Sequence, residues 1–411
     1  MTLIKTSLLN GIAVFIKMLT LLGINKVLAV YVGPIGYAAL GQFQSSVQMI
    51  TSFASGAINT GVTKYTAEYH KDEAKQHAVW RTAGTIALIG SLSTAMLVII
   101  LNRTLADWFL KDEKLGSVFV WFASTLVFFV FNTLLLAILN GKKEIRKYVT
   151  ANISGSIFAL IVTSFMAGNF GLYGALVALA IYQSLTFIIT SFLIYKTPWF
   201  KFKYLVGRIE KKEAKNLAKF TAMALTSAIC IPVSHIFIRN HLGQTLGWEV
   251  AGYWEAVWRL SLAYLMVVTT TLSVYYLPRL SELKREEVWP EMIYGYKIIL
   301  PFAVISSLAV YFLRDYLIEF LFSDHFYAAR DLFAWQMVGN CLKVGSLIMS
   351  YYILSRASAT IFIILEVLYS SFFVIFTFLF VEYWGFEGVA VAYAASYALY
   401  WLFVTVCISK L

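Results

Sequence analysis

The chain has 411 residues, of which 60% are apolar and 13% charged, and it carries a formal net charge of +11. A soluble domain carries about 25% charged residues. With a mean hydropathy of +0.74, the composition excludes a soluble globular protein, a disordered chain and a nucleic-acid-binding domain. A membrane-spanning helix needs about 20 apolar residues, so the apolar content suffices for about twelve.

Apolar segments with short polar punctuation predict spans over 8–31, 37–63, 80–101, 117–139, 149–169, 172–195, 219–239, 251–277, 292–313, 331–355, 357–381 and 386–408. The fold class is therefore all-α, a polytopic membrane protein of twelve transmembrane helices. Strands are excluded because the segments are about twice the length of a barrel strand and do not alternate. Lys5 and Lys17 interrupt the first apolar segment and no small-residue cleavage site follows it, so it reads as a retained span. Aromatics crowd the span ends, among them Tyr31, Trp80, Trp108, Trp121, Trp199, Trp248, Trp289 and Trp384. That is the pattern of an interfacial belt.

The basic surplus reports orientation. With the N-terminus and every even loop on one side, that side holds 23 Lys and Arg against 6 opposite, Arg103, Lys111, Lys114, Arg239, Arg314 and Arg330. Cytoplasmic loops collect Lys and Arg, which predicts both termini in the cytoplasm. The longest cytoplasmic loop, 196–218, is basic with Trp199, Phe200, Phe202 and Tyr204 interleaved. It reads as an interfacial amphipathic segment against anionic lipid. It links a six-helix bundle at 1–195 to another at 219–411.

The two halves look like repeats. Gly171-Leu-Tyr-Gly174 matches Gly385-Phe-Glu-Gly388 at an offset of 214, and Ile35-Gly36-Tyr37 matches Ala251-Gly252-Tyr253 at 216. Six spans per unit make the repeat parallel. The same offset places Asn152 opposite Glu366, an amide where the other half has a charge.

Cys230, Cys341 and Cys407 sit in apolar runs and form no disulfide framework. No metal-ligand spacing, GxSxG or Walker motif is present, so neither a metal, a cofactor nor a catalytic centre is indicated.

The informative residues are the charges inside spans, each costing about 2.5–3.5 kcal/mol at a helix centre. At about 1.5 Å per residue, Lys17 lies about 13 Å into the first span, and Lys26 about 8 Å from its outer end, within snorkelling reach. Arg259 and Lys343 lie about 12 Å and about 18 Å in from the outside, and Glu366 about 13 Å in from the cytoplasm. Glu255 and Arg259, four apart, also read as a local ion pair. Lys343 with Glu366 also reads as a structural salt bridge between neighbouring helices. Four bases against two acids leave a surplus that suits an anionic phosphate or pyrophosphate. Lys64 stands at the inner end of the second span, at the cytoplasmic mouth or as a solvated end-cap. Hinge candidates are Gly33, Pro34 and Gly36 in the first outer turn, Pro232 in span seven and Pro301 in span nine; Pro278 ends span eight. Each proline reads equally as a static kink.

Four stretches carry a family resemblance: Leu28–Ser45, Asn59–Lys71, Ser273–Lys284 and Ala329–Ser346. Through them the chain resembles the Wzx-type O-antigen translocases, in the polysaccharide-exporter branch of the multidrug/oligosaccharidyl-lipid/polysaccharide exporter superfamily. The resemblance implies two six-helix bundles in a V and alternating access. It also implies an undecaprenyl-pyrophosphate-linked oligosaccharide as substrate, an O-antigen or enterobacterial common antigen unit, moved across the bacterial inner membrane. Lys17 and Lys26 take, by position, the role of first-span cations in the related peptidoglycan-precursor flippase. The drug-exporting branch relies on an acid in the first span, and this chain has none there. The expectation is a cationic cavity of Lys17, Lys26, Lys64, Arg259 and Lys343, with Glu366 as the ion-coupling residue and Glu255 and Asn152 in support. Besides the substrate, membrane lipids and other polysaccharide assembly proteins are the expected partners. The competing classes are a membrane polymerase or ligase on the same carrier, which needs a large polar outer loop, and an ion-coupled drug exporter, which needs an acidic cavity.

Overall fold

A computed structural model of the chain describes residues 3–276, 279, 280, 283, 285–356 and 358–410. Pro278 and Lys284 fall outside them. Among the described residues every regular element is helical. In chain order, the long helices are α1 (Leu3–Ser55), α3 (Glu73–Ile100), α5 (Gly116–Gly141), α6 (Ile145–Tyr195), α7 (Lys211–Thr245), α8 (Trp248–Thr271), α9 (Arg285–Phe312), α11 (Phe333–Ser355), α12 (Ala359–Trp384) and α13 (Gly388–Lys410). Short helices are α2 (Asn59–Glu68), α4 (Asn102–Leu110) and α10 (Arg314–Leu321).

Eight described helical stretches are long and apolar enough to cross a bilayer, and three of them, Gly11–Ser55, Ile145–Tyr195 and Ala359–Ile408, have 45 to 51 residues. A helix of 45 residues would extend about 68 Å, roughly twice the hydrocarbon core. Each contains a glycine with non-helical torsions, Gly33 (φ 69°), Gly171 (φ 55°) or Gly385 (φ 58°), and makes two passes. With α8, whose 24 residues are also long enough to cross, the passes among the described residues number twelve. Side chains such as Phe165, Ile188 and Phe312 lie exposed along these helices, as lipid-facing residues must.

The predicted repeat is visible in the backbone. Gly171 (φ 55°, ψ −136°) and Gly385 (φ 58°, ψ −135°) share one conformation. Three residues later, Gly174 and Gly388 abut the carbonyls of Met166 and Phe380, so the chain doubles back at both places. Both halves also place a short amphipathic helix after a long span, α4 after α3 and α10 after α9. The segment from Leu313 to Asp331 contains a helix and a 3-10 stretch.

By packing, the chain forms two compact units, one of Met1–Val27 with Gln42–Pro232, the other of Leu28–Gly41 with Val233–Leu411. In the first unit, α5 and α6 are the most extensively packed pair. At its polar end Trp80, expected in the interfacial belt, is instead completely buried and donates its indole N–H to Thr66 Oγ1 at 2.9 Å. Trp108, Trp121, Trp289 and Trp384 do stand exposed.

The loop over 196–218 is held against the first unit. Phe200 and Leu205 are buried with Trp80 in the core of the first unit, and Tyr204 stacks on His77 at 3.8 Å. Thr82 Oγ1 accepts from the Glu210 N–H and Thr85 Oγ1 from the Gly207 N–H. The segment is thus a folded strap on α3 in which Phe200 is buried against Trp80 while Phe202 stays exposed.

Span two likewise ends earlier than its hydropathy implies. Gly56 (φ 62°) and Ala57 (φ 49°) turn left-handed, and the separate helix α2 follows. That turn ends the helix at Ser55 although the apolar run continues to Val62.

Candidate functional site

The second unit holds a buried cluster of charge. Glu255 and Arg259 lie one turn apart on α8, and Arg239 approaches from α7. Glu255 Oε1 accepts from Arg259 Nε at 2.7 Å and Oε2 from Arg239 Nη1 at 2.6 Å. The side chains of Arg239, Glu255 and Arg259 are only 1%, 5% and 7% exposed. The expected Glu255–Arg259 pair exists, but as half of a three-residue bridge with a formal charge of +1.

Arg239 is a correction. Its place after an apolar run assigned it to an outer loop, yet α7 continues to Thr245 and carries it inside the protein. The residue that reveals it is Glu255, 16 positions away on another helix, so local hydropathy could not have found it.

Aromatic and backbone packing fix the cluster. The Arg259 guanidinium lies 5.1 Å from the Tyr37 ring centroid, and that of Arg239 lies 5.9 Å from the centroid of Trp254. Tyr37 belongs to the segment Leu28–Gly41, which packs with the second unit. A Cβ at Gly41 would come within 2.6 Å of the Glu255 carboxyl and 2.9 Å of Arg239 Nη1. The absence of a side chain at Gly41 is what gives the carboxylate its room.

Lys343 on α11 sits in an aromatic cage, its Nζ 5.3 Å from the Trp258 ring and 5.7 Å from that of Tyr397. A cation over an aromatic face gains about 0.5–2 kcal/mol, which offsets part of its cost in the interior. Glu366 on α12 is near enough to act on it electrostatically. His235 meets the Trp258 and Trp254 rings edge-on at 4.4 and 5.3 Å. Beside them, Asn340 donates to Ser261 Oγ at 3.0 Å and Tyr264 Oη at 2.7 Å, and accepts from Tyr393 Oη at 3.0 Å. Neither His235 nor this network stands out in the sequence, because each residue alone looks like ordinary helix content.

The other candidates are more dispersed. Lys17, Lys26 and Lys64 belong to the first unit. Lys17 is exposed and Lys26 half-buried. Lys64 is exposed on α2, 3.9 Å from Glu68 and 5.0 Å from the Tyr65 ring, which fits its end-cap reading. Asn152 is half-buried, and its amide donates to the Tyr148 carbonyl at 2.8 Å within its own helix. Gly33 and Pro34 interrupt α1, and Gly36 is buried just beyond. Pro232 is buried inside α7, at the boundary of the two units, and Pro301 is exposed in α9. No His, Cys, Asp and Glu cluster that could hold a metal occurs among the described residues.

Twelve helical passes in two halves, with charge held inside the membrane-spanning region, define a multi-pass membrane transporter fold. Solved structures bear this out. An inward-facing multidrug transporter of the MATE family and MOP superfamily matches with a TM-score of 0.76 at 16% identity, covering 96% of this chain and 94% of that one. The lipid II flippase MurJ in an inward closed conformation matches at 0.76 and 15%, covering 99% of this chain and 87% of that one. These likenesses concern the fold.

The sequence comparisons go further. Residues 3–284 match the family model described as polysaccharide biosynthesis protein. The lipid III flippase of Escherichia coli (strain K12) is 31% identical over 403 residues, 97% of this chain and 96% of that protein. The chain belongs to the polysaccharide biosynthesis protein family.

Proposed function

We propose that the protein is a flippase that moves an undecaprenyl-pyrophosphate-linked oligosaccharide from the inner to the outer leaflet of the bacterial cytoplasmic membrane. The observation that carries this reading is the near full-length likeness to a lipid III flippase. Its relatives are flippases and transporters, so the activity is transport and not catalysis. Both termini lie in the cytoplasm, as the basic loops require. The six-span halves 1–195 and 219–411, joined by 196–218, alternate between inward-open and outward-open states around the Gly33, Pro34, Gly36, Pro232 and Pro301 positions.

The physical problem is the charge. A pyrophosphate diester drawn through hydrocarbon without partners faces a barrier of tens of kcal/mol. Lys17, Lys26, Lys64, Arg259 and Lys343 supply the counter-charge, and Arg239 joins them because it shares Glu255 with Arg259. The triad keeps a formal positive charge after its internal pairing. Glu366 couples transport to an ion gradient by exchanging its proton as Lys343 meets or leaves the substrate. Prenyl carbons stay in lipid while the sugars cross in water.

Complementation of a flippase-null strain tests the reading. Lys17→Ala and Lys343→Ala, each expressed at wild-type level, are expected to lose surface polysaccharide. Wild-type polysaccharide from both would remove the cationic cavity.

A further inference from the structure

A cavity lies wholly in the first unit, far in character from the charged cluster. Its volume is about 210 Å³, the scale of a single sugar ring, and Phe43, Gln44, Val47, Gln48, Thr51, Phe129, Leu179 and Tyr182 line it. None of these eight residues is charged.

Gln44, Gln48 and Thr51 are spaced i, i+4 and i+7, so they form one stripe along the second pass of α1. Counting from Gly33 at about 1.5 Å per residue, Gln44 lies about 16 Å into that pass, near the middle of the hydrocarbon core. Both glutamines are exposed. Two exposed primary amides and a hydroxyl along one face give this stretch hydrogen-bonding groups that a polar ligand can meet.

The repeat does not demand the stripe. At the offset of 216 that aligns Gly36-Tyr37 with Gly252-Tyr253, the corresponding residues are Leu260, Tyr264 and Val267. Amides therefore occupy in one half what the other half builds without them.

The lining also includes the aromatic side chains of Phe43, Phe129 and Tyr182, and a relay of hydrogen bonds reaches Tyr182. Thr190 Oγ1 donates to Asn132 Oδ1 at 2.7 Å, Asn132 Nδ2 to Gln183 Oε1 at 3.3 Å, and Gln183 Nε2 to Tyr182 Oη at 3.2 Å. The relay ends on the Tyr182 hydroxyl. Uncharged amides and aromatic rings lining one cavity match the two sides of a pyranose, hydroxyls on its edge and C–H groups on its face. They do not match a phosphate, which asks for cations.

We propose that this cavity is the saccharide subsite of the transporter: Gln44, Gln48 and Thr51 hydrogen-bond a neutral sugar residue of the substrate, and Phe129 and Tyr182 pack against its ring. The proposal rests on the flippase reading above and divides the recognition, with sugar held by the first unit and the lipid's anionic group by cations. It also assigns specificity, since the carrier is common to many lipid-linked glycans and only the sugar distinguishes them.

The test uses the purified full chain and two probes, undecaprenyl pyrophosphate and the same lipid carrying one N-acetylglucosamine. Affinities are measured by native mass spectrometry for wild type and for the double variant Gln44→Ala with Gln48→Ala. Wild type is expected to bind the glycosylated lipid about tenfold more tightly, equivalent to about 1.4 kcal/mol. The double variant is expected to lose that increment while keeping wild-type affinity for undecaprenyl pyrophosphate, which also shows that it is folded. If the increment persists in the variant, or if both affinities fall together, the subsite is overturned and the flippase reading stands. If wild type binds neither lipid, the flippase reading itself fails and the subsite with it.

Discussion

Replacing Glu255 by Gln removes the one carboxylate shared by two buried guanidinium groups and keeps nearly the same shape. Arg239 and Arg259, 1% and 7% exposed, would then share only a neutral amide. Removing one partner of a buried ion pair costs about 3–5 kcal/mol. At about 2 °C per kcal/mol for a large chain, the midpoint of thermal unfolding in detergent should fall by about 6–10 °C. The companion variant replaces all three charges, Arg239→Met, Glu255→Leu and Arg259→Met. A buried ionic cluster exchanged for hydrophobic residues of similar volume is roughly neutral or stabilising. That variant should therefore melt within about 2 °C of wild type and still fail to complement a flippase-null strain. Differential scanning fluorimetry reads both midpoints, and the flippase-null strain reads the loss of function. A Glu255→Gln midpoint indistinguishable from wild type would refute the argument that the three charges stabilise one another.

Other consequences follow from the same geometry. Gly41→Ala sets a methyl group against the Glu255 carboxyl and should lower the melting midpoint in the same direction. The overlap is steric, so the loss should persist in the charge-free triple variant of similar volume, as a double-mutant comparison reads. Gly171→Ala and Gly385→Ala force alanine into a conformation essentially reserved for glycine. Each should cost about 1–3 kcal/mol, and equal losses on thermal unfolding would confirm that the repeats share a turn. Glu366→Gln should leave folding intact and abolish the dependence of flipping on an imposed ion gradient in vesicles; unaltered gradient dependence would exclude Glu366 from coupling.

Much of this architecture was legible in composition and period. Long apolar runs can only be helices in a bilayer, because each must satisfy its own backbone. Gly171 and Gly385 announced a repeat that the torsions then displayed. The pair Glu255 and Arg259 was readable because helix spacing alone brings i and i+4 together. What stayed hidden depended on other elements. Arg239 looks like the polar end of a span until Glu255 reaches it from α8. Trp80 and Phe200 look like interfacial anchors until each packs on the other's helix or loop. The end of the second span is set by the turn at Gly56 and Ala57, which hydropathy does not register. The stripe of Gln44, Gln48 and Thr51 was in plain sight, but without charge it drew no functional reading.

The most direct measurement reconstitutes the purified protein in vesicles with a fluorescent undecaprenyl-pyrophosphate-linked oligosaccharide and follows its exposure to a membrane-impermeant quencher. The account predicts that wild type makes nearly all the labelled lipid accessible, against about half in protein-free vesicles, and that Lys343→Ala falls to the protein-free level. Equal accessibility with and without wild-type protein would contradict the claim that this chain carries a lipid-linked oligosaccharide across the membrane.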